Sequence, residues 1–432
     1  MLTSLFTGVS GMNANGTALS VIGDNIANMN TVGFKASRVS FGDVLSQTLA
    51  GSAGNAQVGR GVIVSSVLPL FTQGALQSTE SALDLAIEGE GFFVVSDASG
   101  ANYYTRAGQF SLDKNGNIVT PDGLVLQGYQ VDAFNNITGT VGALKIAATQ
   151  SAANATTTAN IAVNLDASEA VKTWAFTAGT TTPPASTDYN KSMTMTAYDA
   201  LGGAHDVTLY FVKTADNAWT THYIYKDSAG MYQEAGTQDL TFNDGATPPA
   251  VGGSLATDNA AALTFAWGGG VADGSITFDF GTGTADTPPG DGLDGSTQFA
   301  SVFAVLNETQ NGYSAGALKN IMVSEDGLIT GIFTNGQTRN VGQVVLAKFN
   351  APTGLTKMGR NLYAESFDSG QPVVGAANTS GLGRVLSNTL EQSNVDLAME
   401  FVKMISYQRG FQANSKIITV TDELMQVTVN LK

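Results

Sequence analysis

The stretch Gly23–Ser37 reads GDNIANMNTVGFKAS, and it decides where the first helix of the chain ends. Asparagine tolerates left-handed backbone and competes for backbone hydrogen bonds, so closely spaced asparagines end helices. The glycine that follows allows a positive φ, and the phenylalanine can fix the direction of the exit. We therefore predict a helix cap and a turn, without a catalytic role. The motif residues are Asn25, Asn28, Asn30, Thr31, Gly33, Phe34 and Lys35.

The residues before this stretch repeat with the period of a helix. Asp24 is the only charged residue within positions 1–30. A helix without a charged face is expected to be packed on several sides. The apolar positions, called the N-terminal seam below, are Leu2, Leu5, Val9, Met12, Leu19, Ile22 and Ile26.

The carboxyl-terminal residues show the same spacing of seven and predict a helix over residues 390–431. Two terminal helices that pair would bury both apolar stripes. Either the pair is an intramolecular hairpin that closes a globular domain, or it is completed only in a polymer; the uncharged first helix favours the polymer. The apolar positions, called the C-terminal seam below, are Leu390, Leu397, Phe401, Met404, Phe411, Ile418 and Met425.

Both ends resemble one family. DNIANMNTVGFK resembles the amino-terminal motif of bacterial flagellar axial proteins, the rod and hook family, although Asp24 stands where the family often has Asn. The segment 393–431, which begins SNVDLAMEFVKM, resembles the matching carboxyl-terminal motif. The two ends together make this resemblance specific.

The middle of the chain reads as β structure. Short strand-like runs alternate with Asn-Gly and Asp-Gly pairs, which are strong hairpin signals. We expect a mainly β protein with paired terminal α-helices and nested β domains inserted between them. The predicted parts are helices 1–30 with 390–432, a connector 31–70 with 366–389, an inner β domain 71–147 with 293–365, and an inserted outer β domain 148–292.

Composition argues against several functions. The net charge is -16, which disfavours nucleic acid as a partner. No apolar run is long enough to predict membrane insertion. Residues 312–316 match G-x-S-x-G, but both histidines, His205 and His222, lie upstream of that serine, whereas the motif requires His after it. With no Cys and two His, we predict no catalytic residues, no metal site and no cofactor.

The nested order resembles the hook members of the family, and this resemblance implies a non-enzymatic structural subunit of the flagellar hook. It further implies self-assembly into a flexible helical tube that transmits motor torque. The implied partners are other copies, the rod, the hook cap, the hook–filament junction proteins and the flagellar export apparatus, which places the chain in the flagellum outside the cell. The alternatives are a distal rod protein and, from another class, a secreted β-rich glycan-binding or hydrolytic protein.

Overall fold

The chain folds into two compact units in a computed structural model. The structure describes residues 2–44, 47–48, 57–132, 135–146, 150–246 and 251–430. Unit 1 contains Met1–Ala147, Lys319–Ile332 and Thr338–Lys432, and unit 2 contains Ala148–Leu318 and Phe333–Gln337.

Two α-helices lie at the ends of the chain, and strands fill the middle. The helices are α1 (Leu2–Ala27) and α2 (Leu397–Asn430), and one 3-10 helix spans Pro352–Gly354. The first strands are β1 (Ser37–Asp43), β2 (Gln47–Thr48), β3 (Gln57–Val58), β4 (Val62–Pro69), β5 (Leu76–Ser78), β6 (Leu85–Glu88), β7 (Phe92–Ser96), β8 (Asn102–Thr105), β9 (Ser111–Leu112), β10 (Ile118–Val119), β11 (Val125–Val131) and β12 (Ile137–Ala143). The next are β13 (Gln150–Ser151), β14 (Thr158–Asn164), β15 (Lys191–Tyr198), β16 (Ala204–Ala215), β17 (Ala218–Lys226), β18 (Tyr232–Phe242), β19 (Leu255–Thr257), β20 (Ala262–Phe265), β21 (Gly274–Asp279) and β22 (Ala304–Gln310). The last are β23 (Gly316–Val323), β24 (Leu328–Phe333), β25 (Thr338–Lys348), β26 (Thr356–Gly359), β27 (Leu362–Ala364), β28 (Val373–Ala376), β29 (Arg384–Ser387) and β30 (Thr389–Glu391).

Unit 1 is built on a sheet whose strands come from both halves of the chain. The order β25–β11–β7–β8–β27–β26 places β25 and β27, from the second half, beside strands of the first half. Two short ladders, β6 with β29 and β5 with β30, bring the segment before α2 to the same region. The hairpin β1–β4 packs along α1. The chain therefore leaves α1 and enters α2 in the same region of unit 1. The strands of unit 1 that lie between the two helices in the sequence are called the β part below.

The predicted hairpin turns are confirmed. The glycine of each predicted pair has a positive φ, which glycine adopts without steric cost. These glycines are Gly116 (φ 81°), Gly123 (φ 84°), Gly327 (φ 77°) and Gly336 (φ 80°).

Unit 2 joins two sheets through one apolar core. A five-stranded antiparallel sheet has the order β15–β16–β17–β18–β19, and a four-stranded sheet has the order β20–β21–β14–β22. In β15 the side chains of Met193, Met195 and Ala197 alternate inward, as expected for a half-buried strand. Trp219 and Phe278 are fully buried in the shared core. The fold class predicted from the sequence, mainly β with paired terminal helices, is confirmed. Neither of the described helices combines the length and the apolar character that crossing a membrane would need.

One apolar cluster of unit 1 is rich in aromatic rings. Tyr104 packs edge-to-face on Phe349 at 4.8 Å between ring centroids, and Tyr363 lies 5.9 Å from Phe92. Burial raises the pKa of the Tyr363 hydroxyl to about 12. Burial, with the nearby carboxylate of Glu365, also raises the pKa of Tyr104 to about 12. These two tyrosines therefore favour the folded state while they stay protonated.

This cluster predicts a loss of stability at alkaline pH. In the unfolded chain a tyrosine ionises near pH 10, so the contribution is complete below that pH and is lost as pH rises toward 12. Each tyrosine should contribute a slope of up to roughly 1.4 kcal/mol per pH unit in this window. Calorimetric unfolding of unit 1 should therefore depend less on pH above 10 in a Tyr104→Phe, Tyr363→Phe double variant than in the wild type. Equal slopes in the two proteins would contradict the assignment.

Candidate functional site

The two terminal helices pack against each other in opposite directions. Near the start of α1, Gly8 faces Asn414 and Ile418 of α2, and a Cβ placed on Gly8 would lie 3.2 Å from Cγ1 of Ile418. Near the end of α1, Nδ2 of Asn25 donates a hydrogen bond to Oε2 of Glu400 at 3.1 Å. Early residues of α1 thus meet late residues of α2, so the pair is antiparallel. At about 1.5 Å per residue the longer helix, α2, extends for roughly 50 Å.

Glycines bring the two helices close together. A Cβ at Gly11 would lie 2.6 Å from Nδ2 of Asn414, and one at Gly410 would lie 3.1 Å from Oδ1 of Asn15. By contrast, a Cβ at Gly16 would meet no atom within 4 Å. Glycine weakens an isolated helix by roughly 1 kcal/mol relative to alanine. At Gly11 and Gly410 the missing side chain leaves the space that the partner helix occupies.

The most buried face of α1 is lined by small residues and is not the predicted seam. Ala14, Ala18 and Ile22 are at most 4 % exposed, and of these only Ile22 belongs to the N-terminal seam. Within one chain the two seams therefore bury each other only in part, because small residues allow the closer backbone approach. The seams as an assembly interface stay a prediction. The other seam residues are half-buried at Leu5, Met12, Leu19 and Ile26 and exposed at Val9, while the side chain of Leu2 lies outside the described ones.

Helix α2 leaves much of its apolar surface uncovered. Within the C-terminal seam, Met404, Ile418 and Met425 are half-buried, whereas Leu397, Phe401 and Phe411 are exposed. Further exposed apolar side chains lie along the helix at Met399, Val402, Ile405, Ile417, Val420, Leu424 and Val427. In the single chain, therefore, α2 is covered on one side only.

Leu390 is a correction to the predicted helix. It lies in β30, pairs with Gln77 of β5 and is 7 % exposed, so it is a buried strand residue rather than part of a helical seam. The helix begins at Leu397 because Asp396 caps it: Oδ1 of Asp396 accepts a hydrogen bond from the backbone N–H of Met399 at 3.1 Å.

The asparagines of the motif have different roles. Asn28 follows the last residue of α1 and donates to the backbone oxygen of Asp24 at 2.9 Å, as the predicted cap requires, and Thr31 donates to Oδ1 of Asn28. Asn30 is exposed. Asn25 instead lies within the helix, is 1 % exposed, and exchanges two hydrogen bonds of 2.9 Å with the backbone of Ser37.

Gly33 makes the turn after α1 possible. Its φ is +70°, and a Cβ at this position would lie 2.5 Å from the backbone nitrogen of Ala107. Its own N–H donates to the backbone oxygen of Glu391 at 2.8 Å. Phe34 is buried, with the ammonium of Lys357 5.6 Å from its ring centroid. The turn therefore contacts the β part and the segment before α2 at the same time.

Lys35 and Glu391 form an ion pair that is closed to solvent. Nζ of Lys35 lies 2.6 Å from Oε1 of Glu391, and both side chains are 0 % exposed. The same ammonium donates to the backbone oxygen of Thr72 at 2.7 Å, and the N–H of Gly74 donates to Oε1 of Glu391 at 2.8 Å. Nearly complete hydrogen bonding is what a buried ion pair needs to offset its desolvation.

Arg106 brings the β part into the same cluster. Its Nη1 lies 3.3 Å from Oε2 of Glu391, and its Nη2 donates to the backbone oxygen of Gly89 at 2.7 Å. Its guanidinium carbon also lies 5.4 Å from the ring centroid of Phe92. We call the cluster of Lys35, Arg106 and Glu391 the junction, because it ties together the segment after α1, the β part and the segment before α2.

Burial and the nearby carboxylate shift the pKa values of the two junction cations in opposite directions. Burial lowers the pKa of Lys35, and the Glu391 carboxylate partly opposes that shift. Burial likewise lowers the pKa of Arg106, against the attraction of Glu391. One carboxylate therefore pairs with two buried cations, and its removal would leave both without a buried counter-charge.

Asn394 completes the connection between the two ends. Its Oδ1 accepts from the N–H of Ala36 at 2.8 Å, and its Nδ2 donates to the backbone oxygen of Leu70 and to Oγ1 of Thr72. Sequence reasoning did not single out Asn394, Arg106 or Glu391. One signal for this ion pair was present in the sequence, because Lys35 and Glu391 stand at the inner ends of the two helical patterns.

Two polar clusters of unit 2 each contain a histidine beside a carboxylate, whereas the junction in unit 1 contains Lys, Arg and Glu. His205 stacks on Trp267 and lies 2.8 Å from Oδ2 of Asp199. His222 stacks on Trp174 and pairs with a carboxylate of β18. Over the residues described, no group of three or more His, Asp or Glu side chains is arranged to hold a metal ion.

Sequence comparison connects this architecture to the flagellum. Four family models match successive parts of the chain: Flagella basal body rod protein at residues 5–35, Flagellar hook protein FlgE/F/G D1 domain at 86–167, Flagellar basal body protein FlaE D2 domain at 164–313, and Flagellar basal body rod FlgEFG protein C-terminal at 386–431.

Similar proteins extend over the whole chain. The flagellar hook protein FlgE of Escherichia coli (strain K12) is 35 % identical over 440 residues, which cover 98 % of each chain. That of Borreliella burgdorferi is 34 % identical over 479 residues and covers both chains completely. In structure, the Helicobacter pylori flagellar hook protein FlgE2 has a TM-score of 0.53 at 15 % identity, covering 73 % of this chain and all of the other, which supports the fold alone.

These matches define a structural protein of the bacterial flagellum. Within that class, the chain belongs to the flagellar hook protein family. The sequence-based expectation of a hook subunit is confirmed, and neither the distal rod protein nor the secreted β-rich protein is favoured. The family is a structural one and not a family of enzymes.

Removal of the junction carboxylate should be strongly destabilising. Glu391→Gln leaves two buried cations without a buried counter-charge, so we expect the free energy of unfolding to fall by about 3–5 kcal/mol. The matched control is Glu88→Gln, which breaks the half-exposed pair with Arg384 and should cost about 1 kcal/mol or less. Chemical denaturation of both purified variants measures the difference, and equal losses would refute the role assigned to the junction.

The close helix contact predicts opposite effects at two glycines of α1. Gly11→Leu would push its side chain into Asn414, which should cost about 1–3 kcal/mol. Gly16→Leu has open space and should stabilise α1 by roughly 0.5–1 kcal/mol through helix propensity. Thermal unfolding of the monomer, followed by circular dichroism at a helical band, compares the two. A neutral Gly11→Leu would mean that the helices do not touch at this point.

Proposed function

We propose that copies of this chain polymerise through the helix pair into the tube of the flagellar hook, with α1 and α2 forming its innermost layer. The observation that carries the proposal is the apolar surface that α2 exposes in the single chain. Monomeric soluble proteins rarely expose contiguous apolar patches of more than a few hundred Å². Val402, Ile405 and Leu424 are each more than half exposed.

Neighbouring copies are the occupants that fit this surface. Full burial of one Leu or Ile side chain contributes roughly 1.5–3 kcal/mol, so several such residues can outweigh the cost of association. In α1, Val9 and Phe6 are also exposed, so both helices of the pair have apolar surface available. A contact between different surfaces of successive copies can repeat without closing, which is how helical filaments form.

The layers of the tube follow from the proposed domain arrangement. The helices, residues 1–30 with 390–432, would form the inner core, and 31–70 with 366–389 would connect them to an inner β domain of 71–147 with 293–365. Residues 148–292 would form the outermost domain. Residues 227–318, most of which lie in this outer part, contain eleven acidic residues and no Lys or Arg, so these surfaces would adhere weakly to one another. Weak outer contacts would allow neighbours to slide as the tube bends.

Torque transmission needs a subunit that does not yield internally. The junction of Lys35, Arg106 and Glu391 holds the helix pair to the β part by buried ion pairs, so both would move as one body. Bending of the hook would then occur between copies rather than within them.

The position in the flagellum implies further partners. We propose contacts with the rod at one end and with junction proteins at the other, a cap during growth, and delivery to the cell exterior by the flagellar export apparatus. These follow from membership in the hook family, which places the chain in the flagellum.

A charge on the exposed face of α2 should abolish assembly and leave the monomer intact. Ile405 is 51 % exposed, so Ile405→Asp should change monomer stability by less than about 1 kcal/mol, since surface substitutions rarely do more. In a tube the same aspartate would be buried without a partner, and we expect no filaments in electron micrographs. Ile405→Leu is the control and should assemble normally. Filaments of normal length from Ile405→Asp would disprove the proposal.

A further inference from the structure

A phenylalanine in unit 1 projects fully into solvent. Phe367 is 101 % exposed, the highest value among the described large apolar side chains. A single exposed apolar residue is ordinary on a protein surface, but the backbone that carries this one is unusually well fixed.

The turn below Phe367 is held by two serines. The N–H of Ser366 donates to Oγ of Ser369 at 2.9 Å, and the N–H of Ser369 donates to Oγ of Ser366 at 3.2 Å. Ser369 is 1 % exposed. The hydroxyl of Ser366 also donates to the backbone oxygen of Gly354 at 2.6 Å, which fixes the turn to the 3-10 helix. A Cβ at Gly354 would lie 2.7 Å from the carbonyl carbon of Asp368, so the two backbones are in close contact.

A rigid apolar projection is well suited to binding. Ordering a flexible side chain or loop consumes part of the binding free energy, and a pre-formed turn avoids most of that cost. Aromatic side chains are also enriched among the residues that dominate interfaces. Six residues further along the chain, β28 adds the exposed side chains of Val373 and Val374, and β25 is its one hydrogen-bonded neighbour among the described strands.

We infer that Phe367 inserts into unit 1 of a neighbouring copy in the polymer. The inference rests on the proposed function, because the hook subunit meets its own copies along the tube. Charge indicates which part of the neighbour receives it. Glu365 and Asp368 stand close to Phe367 in the sequence and are exposed, so the receiving surface should carry basic groups.

Basic groups are available in unit 1 and scarce in unit 2. Residues 227–318 contain no Lys or Arg, so docking there would bring acidic surfaces together. In unit 1, by contrast, Lys114, Lys145 and Arg339 are exposed. Arg360 and Arg384 are exposed as well, but each already pairs with a carboxylate of the same chain. An apolar ring with an acidic border therefore fits unit 1 of a second copy better than unit 2.

Photo-crosslinking in assembled hooks tests this docking. The chain with Phe367→p-benzoylphenylalanine is assembled, irradiated and digested, and the crosslinked peptides are identified by mass spectrometry. We expect crosslinks between two copies, with the acceptor peptide in unit 1, and none in the unassembled monomer at the same concentration. Crosslinks to unit 2 or to a different protein, or filaments without crosslinks between copies, would overturn the inference.

Substitution gives an independent measurement. Phe367→Ser should raise the critical concentration for assembly by roughly tenfold, while Phe367→Trp, which keeps an aromatic ring, should remain near the wild type. The unfolding of both monomers should match that of the wild type, because the ring makes no contact that the fold needs. Wild-type filaments in the same series establish the proposed function separately. If they form and Phe367→Ser assembles equally well, the docking inference fails while the proposed function stands.

Discussion

One carboxylate connects the three parts of unit 1. Glu391 accepts from Lys35 and from Arg106 in a space closed to solvent, and its backbone oxygen accepts from the turn at Gly33. Because an ion pair of this kind is costly when incomplete, the segment after α1, the β part and the segment before α2 must all be in place together. The direction of both helices is therefore set by the β part to which they are tied.

In the proposed tube the helix pair must be stable within one chain and must also bind other copies. Glycine and alanine on α1 let the helices approach closely, so the intrachain contact covers only part of the large apolar side chains. Those side chains, such as Phe401 and Ile405, remain available to other copies. A contact between two Leu-rich faces would have used the same residues within one chain and left less for assembly.

The sequence predicted the fold class and the helix pair well, because apolar periodicity and turn glycines act locally. It failed at Leu390, because a period of seven cannot reveal that this residue pairs in a strand, which ends at Glu391, before the helix cap at Asp396. It also missed the junction, since Arg106 and Glu391 are 285 residues apart and only the tertiary fold brings them together. Hydrophobicity also could not predict which face of α1 is buried, because that face is set by the close approach of α2 at Gly11.

In the proposed tube, neighbouring copies cover the exposed face of α2. Electron cryomicroscopy of filaments assembled from the purified chain can show this. We expect α1 and α2 at the innermost radius, with Val402, Ile405 and Leu424 buried against other copies. Filaments in which these side chains stay exposed to solvent, and only the β units of neighbouring copies touch, would contradict it.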